Sequence, residues 1–344
     1  MATLAIINPA TGAQIDEVPA DDAATVASKA AQARAAQPRW QRVPLAERKA
    51  CIERFRALVV RDLESLARTL TLDTGKPIRQ ARNELNGLLG RIDFFLVAVD
   101  RSTGTETVFD EGGMREQIEH VPLGVVGNIS AWNYPWFVGG NVFVPALLTG
   151  NTVLYKPSEY ATMTGLEIAR LLYEAGVPYD AFITLVGDGS VGAALMEQRI
   201  DGLFFTGSYA TGARIARTMG SRMVKLQLEL GGKDPTYVRA DANVKNAAES
   251  LADGAMYNTG QSCCSVERIY VHERIHDAFV ARLSAFGKSL KIGDPQEAIN
   301  VGFEYSLDER GQIEQVQLDD NERRGELVPE DFAWAKTMYE DMFA

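Results

Sequence analysis

The chain has 344 residues, 46% of them apolar and 24% charged, with a formal net charge of −11 at pH 7. This length exceeds one ordinary core and suits two domains, with the balance of a water-soluble globular protein. An acidic surface repels nucleic acid and anionic membranes, so neither is an expected partner. Three cysteines cannot build a disulfide framework, which points to a reducing compartment such as the cytoplasm.

The start, "MATLAIINPATG", lacks the basic first residues and long apolar stretch of a signal peptide. Residues 20–100 read as helices: "DDAATVASKAAQARAAQ" is alanine-rich, and "LAERKACIERFRALVVRDLESLARTLTLDTGKP" has apolar positions at spacings of three and four. Thr74-Gly75 followed by Pro77 is a helix stop. In "TGTETVFDEGGMREQIEHVPLG", Glu111-Gly112-Gly113 lies between alternating segments and predicts a hairpin. From Val121 to Tyr155 no side chain is charged, yet asparagines, prolines and glycines interrupt the run. Backbone groups freed at such breaks would go unsatisfied in lipid, so the segment reads as buried parallel strands joined by ligand-facing loops.

Strand and helix then alternate: "GVVGNIS", "NTVLYKP", "GLEIARLLYEAG", "FITLVGD", "GAALMEQ", "GLFFTGS", "GARIARTMG" and "VKLQLELGG". Repeated β-then-α units predict an α/β fold, a parallel sheet with helices on both faces. Helix "NVKNAAESLADGAMYN" leads to the adjacent Cys263 and Cys264, and strand "RIYV" and a helix carrying Ile275, Phe279, Leu283 and Phe286 follow. Residues 301–344 hold 12 acidic and 4 basic side chains, a net of −8, and read as an unrelated acidic tail with one short helix near "PEDFAWAKTMYEDMFA".

Two literal motifs carry little weight. "GDGSVG", Gly187 to Gly192, fits G-x-G-x-x-G, but the acidic residue wanted about 20 positions on falls at Gly207. It reads as a tight strand-to-helix turn near a nucleotide. "HERIH", His272 to His276, fits the zinc-hydrolase pattern, which needs both histidines on one helix. Here His272 ends a strand, and His120 is the only other histidine. No metal is expected.

Four stretches agree with one another: "ISAWNYPW" with Asn133, "LYKPSE" with Lys156 and Glu159, "LELGGK" with Glu229, and "GQSCC" with Cys263. In order and spacing they resemble the NAD(P)-dependent aldehyde dehydrogenase superfamily from near the N-terminus to about residue 300. The resemblance implies a Rossmann-like NAD-binding domain over 1–103 and 121–226, a bridging hairpin over 104–120, and a partial α/β catalytic domain over 227–300. It makes Cys263, two places after Gln261, the nucleophile, with Cys264 and Cys51 as packing residues. Asn133 becomes the oxyanion donor and Glu229 the general base. It places Trp132, Lys156, Glu159, Gly187, Gly207, Ser208 and Gly231 around the cofactor. A carboxylate at Glu159 would repel a 2′-phosphate, so NAD is expected over NADP. The expected substrate is an aldehyde, and the hairpin is the expected route to a homo-oligomer. Family members continue past the cysteine into an E-x-F-G-P stretch; "EDFAW", Glu330 to Trp334, lacks the Gly-Pro. The sequence therefore reads as a C-terminally truncated or rearranged member, with a catalytically impaired nucleotide- or partner-binding remnant as the alternative.

Overall fold

A computed structural model describes residues 2–297 and three short strand segments at 301–302, 305–307 and 313–316. The expected tail helix and "EDFAW" lie outside the described residues. The chain opens with an antiparallel pair, β1 (Thr3–Ile7) and β2 (Gln14–Pro19). Three helices follow: α1 (Ala23–Trp40), α2 (Leu45–Thr74) and α3 (Ile78–Thr103). Asp22 caps α1 by accepting from the Thr25 N–H at 2.8 Å. Gly75, at φ 73°, closes α2 in the left-handed conformation that only glycine adopts without strain.

The predicted hairpin is β3 (Glu106–Glu111) and β4 (Met114–Ile118), with Gly112 and Gly113 at its turn and every strand residue exposed. Then come β5 (Val125–Ile129), α4 (Pro135–Leu148), β6 (Thr152–Lys156), α5 (Thr162–Glu174), β7 (Phe182–Thr184), α6 (Gly189–Met196), β8 (Gly202–Gly207), α7 (Tyr209–Met219) and β9 (Lys225–Leu230). The five strands form one parallel sheet in the order β7-β6-β5-β8-β9. Alternating side chains sort the two cores. Val153, Tyr155 and Phe182 pack with α2 to α5, whereas Leu154, Ile183 and Leu203 pack with α1, α6 and α7. The strand order reverses between β5 and β8, which opens a crevice at the carboxyl ends of the strands.

The boundary expected after residue 226 falls inside β9, which is the edge strand of this sheet. The smaller second unit is built from β10 (Asp234–Val238), α8 (Val244–Met256), β11 (Val266–Val271) and α9 (His276–Ser289). β10 and β11 run parallel, over a core of Val238, Ala248 and Phe279. Among the described residues no helix is long and apolar enough to cross a membrane.

One buried carboxylate ties the helices together. Asp73, at the end of α2, accepts from the Thr164 N–H in the first turn of α5 at 2.8 Å. Loss of hydration raises its pKa from the ordinary 3.8 to about 7. The unfolded chain therefore ionises first, and stability falls as pH rises from about 4 to about 7, by an upper limit of about 4 kcal/mol. Asp73→Asn keeps an acceptor for Thr164 and should flatten that slope, as measured by urea unfolding at a series of pH values. An unaltered slope would assign the pH dependence to other groups.

Candidate active site

The site is built from two loops and two strand ends. The first loop, residues 130–134, leaves β5, where the Ser130 N–H donates to the Lys156 carbonyl at 3.0 Å and ties the ends of β5 and β6 together. Trp132 and Asn133 are half-buried in this loop. The Asn133 side-chain amide donates to the Gln261 carbonyl at 3.0 Å, linking this loop to the one that carries Cys263. An amide NH2 has two donors, so one such bond leaves the group able to serve a ligand as well.

The second loop begins with three consecutive left-handed residues, Asn258, Thr259 and Gly260, at φ 56°, 60° and 79°. Each non-glycine residue held there costs on the order of 1–3 kcal/mol, and β-branched Thr259 is the less suited of the two. The Asn258 N–H donates to Gln80 Oε1 at 2.7 Å, and the Ser265 hydroxyl donates to the Gly260 carbonyl at 3.0 Å. On the far side, a Cβ at Gly232 would lie 3.0 Å from the Cys263 carbonyl oxygen, so the glycine just after Gly231 lets the β9 end approach the thiol loop.

A cleft of about 1130 Å³ receives Cys263, Cys264 and Ser262 from this loop, Glu229 and Gln227 from β9, Thr206 from β8, and Tyr134 and Phe137 from α4 and the residue before it. Glu229 is exposed, and its Oε1 accepts from the Gln227 amide at 3.1 Å. Cys263 is exposed too. Partial desolvation, with the neighbouring Cys264 adding to it, raises the Cys263 pKa. A thiol held above its ordinary range needs a base to become a nucleophile.

The residues expected around the nucleotide include Lys156, Glu159, Gly187, Gly207 and Ser208, which gather at the carboxyl ends of β6, β7 and β8. Lys156 is buried, and its ammonium group bonds Glu159 at 3.0 Å. Gly187 precedes Asp188, which caps α6 through the Ser190 N–H at 2.8 Å. Lys156 helps hold the Asp188 carboxyl below its ordinary range, after the larger effect of the Ser190 hydrogen bonds. "GDGSVG" is thus a capped strand-to-helix turn near Lys156. Ser208 caps α7, accepting from the Thr211 N–H at 3.1 Å. A Cβ at Gly207 would lie 2.7 Å from the Phe205 ring, so only glycine fits there. A helix N-terminus with a bare backbone approach suits a pyrophosphate, and the half-buried Glu159 carboxylate suits ribose hydroxyls; the residues fit a dinucleotide.

Sequence reading missed the layer beneath the loops. Lys76 and Glu84 form an ion pair with side chains 1% and 0% exposed. Lys76 Nζ also donates to the Asn133 carbonyl at 2.6 Å and lies 3.9 Å from the centre of the Tyr134 ring. Glu84 Oε1 accepts from the N–H groups of Trp136 at 2.8 Å and Phe137 at 3.2 Å. The Asn258 amide donates to the carbonyls of Asn133 and Gln261, both at 3.1 Å. As for "HERIH", His272 caps a short 3-10 turn while His276 begins α9, so the two histidines are on separate elements. Among the described residues no group of three or more His, Cys, Asp or Glu could hold a metal ion.

A five-stranded parallel sheet with helices on both faces, a lysine–glutamate pair at one strand end and a cleft lined by two thiols define an α/β protein of the doubly wound class. The chain belongs to the aldehyde dehydrogenase family, whose profile, "Aldehyde dehydrogenase family", matches residues 2–331. A Mycolicibacterium smegmatis relative named "Putative succinate-semialdehyde dehydrogenase", with NADP(+) given in its name, is 36% identical over 327 residues, covering 92% of this chain and 62% of the relative. The 3,6-anhydro-alpha-L-galactose dehydrogenase of Streptomyces coelicolor is 37% identical over 286 residues, covering 82% and 57%. Among solved structures, PnpE from Pseudomonas sp. WBC-3 superposes with a TM-score of 0.84 at 32% identity, covering 88% of this chain and 62% of that one. A structure of PnpE in complex with nicotinamide adenine dinucleotide gives the same values. The chain thus spans about three fifths of the length of these proteins.

Proposed function

We propose that the site oxidises an aldehyde to a carboxylate through a covalent thioester on Cys263, with NAD as the bound nucleotide. The observation that carries this reading is that Cys263 and Glu229 line one cleft while the Asn133 amide is bolted to the Cys263 loop. Glu229 takes the proton of the Cys263 thiol and releases it to solvent, and the thiolate adds to the aldehyde carbon to form a thiohemiacetal. Its oxyanion is met by the Asn133 amide and the Cys263 N–H; losing one such donor typically costs about 2.7–4 kcal/mol of barrier. Bound nicotinamide supplies the hydride acceptor. The carbonyl re-forms as a thioester on Cys263, and Glu229 takes a proton from the water that hydrolyses it. Glu159, beside Lys156, favours ribose hydroxyls over a 2′-phosphate, which is the basis for NAD over NADP. Trp132 and Gly231, which are not among the residues lining the cleft, are proposed beside the nucleotide. The hairpin over 104–120 exposes Val108, Phe109, Met114 and Ile118, and is the surface proposed for self-association.

The test is formation of reduced nicotinamide, followed by ultraviolet absorbance, with the purified chain, a panel of aldehydes, and NAD or NADP. Turnover with NAD, and weaker turnover with NADP, supports the reading. A second reading, a nucleotide- or partner-binding protein without turnover, draws on the exposure of both Cys263 and Glu229. Calorimetric binding of NAD with no product from any aldehyde would favour it.

A further inference from the structure

We infer that Lys76 and Glu84, with Asn258 beside them, are the positioning residues of the oxyanion-binding amide. They fix the main chain of Asn133 and lock it to the loop of Cys263. The inference rests on the reading of Cys263 as an acylated nucleophile.

The argument begins with an oddity of energetics. A lysine and a glutamate with side chains 1% and 0% exposed give up nearly all their hydration. Packed apolar side chains often serve stability as well or better. Stability alone therefore gives no reason for charge here. The pair does something an apolar pair could not, because each ion reaches a different side of one short loop. The Lys76 ammonium donates to the Asn133 carbonyl at 2.6 Å and sits on the Tyr134 ring. The Glu84 carboxylate takes the N–H groups of Trp136 and Phe137. Pro135, just before these two residues, has no N–H to offer. The loop is held by its carbonyl at one end and by its helix N-terminus at the other, so the Asn133 peptide cannot turn.

Asn258 completes the frame. Its amide donates to the Asn133 carbonyl and the Gln261 carbonyl together, and Asn133 Nδ2 donates to that same Gln261 carbonyl. Gln261 stands two residues before Cys263. The strained backbone at Asn258 and Thr259 is the conformation in which these bonds form. An oxyanion site is sensitive to displacements of about 1 Å, which can cost about 100-fold in rate.

A positioning role separates two reactions of one thiol. Acylation of Cys263 by p-nitrophenyl acetate passes through an oxyanion, with p-nitrophenolate as the leaving group. Alkylation by iodoacetamide displaces iodide at a saturated carbon and forms none. The test variant is Lys76→Met with Glu84→Gln, which removes both charges yet leaves an acceptor for the α4 N–H groups. Asn258→Gly is the second variant, and glycine keeps the left-handed backbone. The ratio of acylation to alkylation rate constants should fall by about 10- to 100-fold in both, with alkylation itself within a few-fold of wild type. An unchanged ratio overturns the inference. Should the wild-type chain fail to be acylated, the functional reading fails on that arm alone. Hydrogen exchange then decides the positioning. Residues 134–138 and 258–263 should lose protection in the variants while the melting temperature stays within a few degrees, and retained protection would overturn it.

Discussion

Exchanging Cys263 for serine is expected to lower acylation by p-nitrophenyl acetate, and any aldehyde turnover, by on the order of 10⁴-fold or more, the scale seen when a covalent nucleophile is removed. A serine hydroxyl in the same position is far less acidic than a thiol. Cys264→Ser should leave the rate within several-fold of wild type. Cys264 contributes to raising the Cys263 pKa, so its removal should also lower the pH at which Cys263 becomes reactive. The two variants separate the neighbouring thiols cleanly, since both line the same cleft. Binding of NAD, measured by calorimetry, should survive both changes because the residues proposed to hold it lie at the ends of β6, β7 and β8. Loss of acylation in Cys264→Ser with retention in Cys263→Ser would reverse the assignment.

The second large effect is on stability. Lys76→Met alone leaves the Glu84 carboxylate buried without its cation, and removing one partner of such a pair costs about 3–5 kcal/mol. Native proteins hold roughly 5–15 kcal/mol in total, so this single change should lower the melting temperature by about 5–10 °C. Adding Glu84→Gln should restore most of the loss, because no uncompensated charge then remains. The double-mutant cycle, measured by denaturant unfolding, therefore predicts strong coupling between positions 76 and 84. A single variant as stable as the double would mean that the pair is not desolvated as the structure shows.

Much of the fold was legible because its signals are local. In the uncharged run from Val121 to Tyr155 the buried strands β5 and β6 were legible, whereas α4 between them was expected as loop, because its prolines, glycines and asparagines hide a helical pattern. Gly75 and the Gly112-Gly113 turn stand where backbone chemistry puts them. Other elements gave weaker signals. β10 begins at Asp234-Pro235, which reads as a turn, and it forms only because β11 pairs with it. β7 keeps just three of the seven residues of "FITLVGD", since the chain leaves the sheet at Leu185 to make the Gly187 turn. Of the site, the short motifs could be read, but the layer beneath could not. Lys76 and Glu84 flank Pro77 and the start of a helix, where charged side chains ordinarily face water. Their burial is decided by α4 and the Asn133 loop, some 50 residues away in the chain. The one available signal was Glu84 on the apolar face of α3, with Gln80 and Ala81 a turn before it and Leu88 a turn after, all buried.

The most direct measurement is the position of the acyl group after acid quench of the wild-type chain mixed with p-nitrophenyl acetate, found by fragmentation mass spectrometry. One acetyl group on the Cys263 sulfur, absent when Asn133 is replaced by alanine on the same time scale, is the predicted result. An acetyl group on Cys264, or labelling of Cys263 that ignores Asn133, would contradict it.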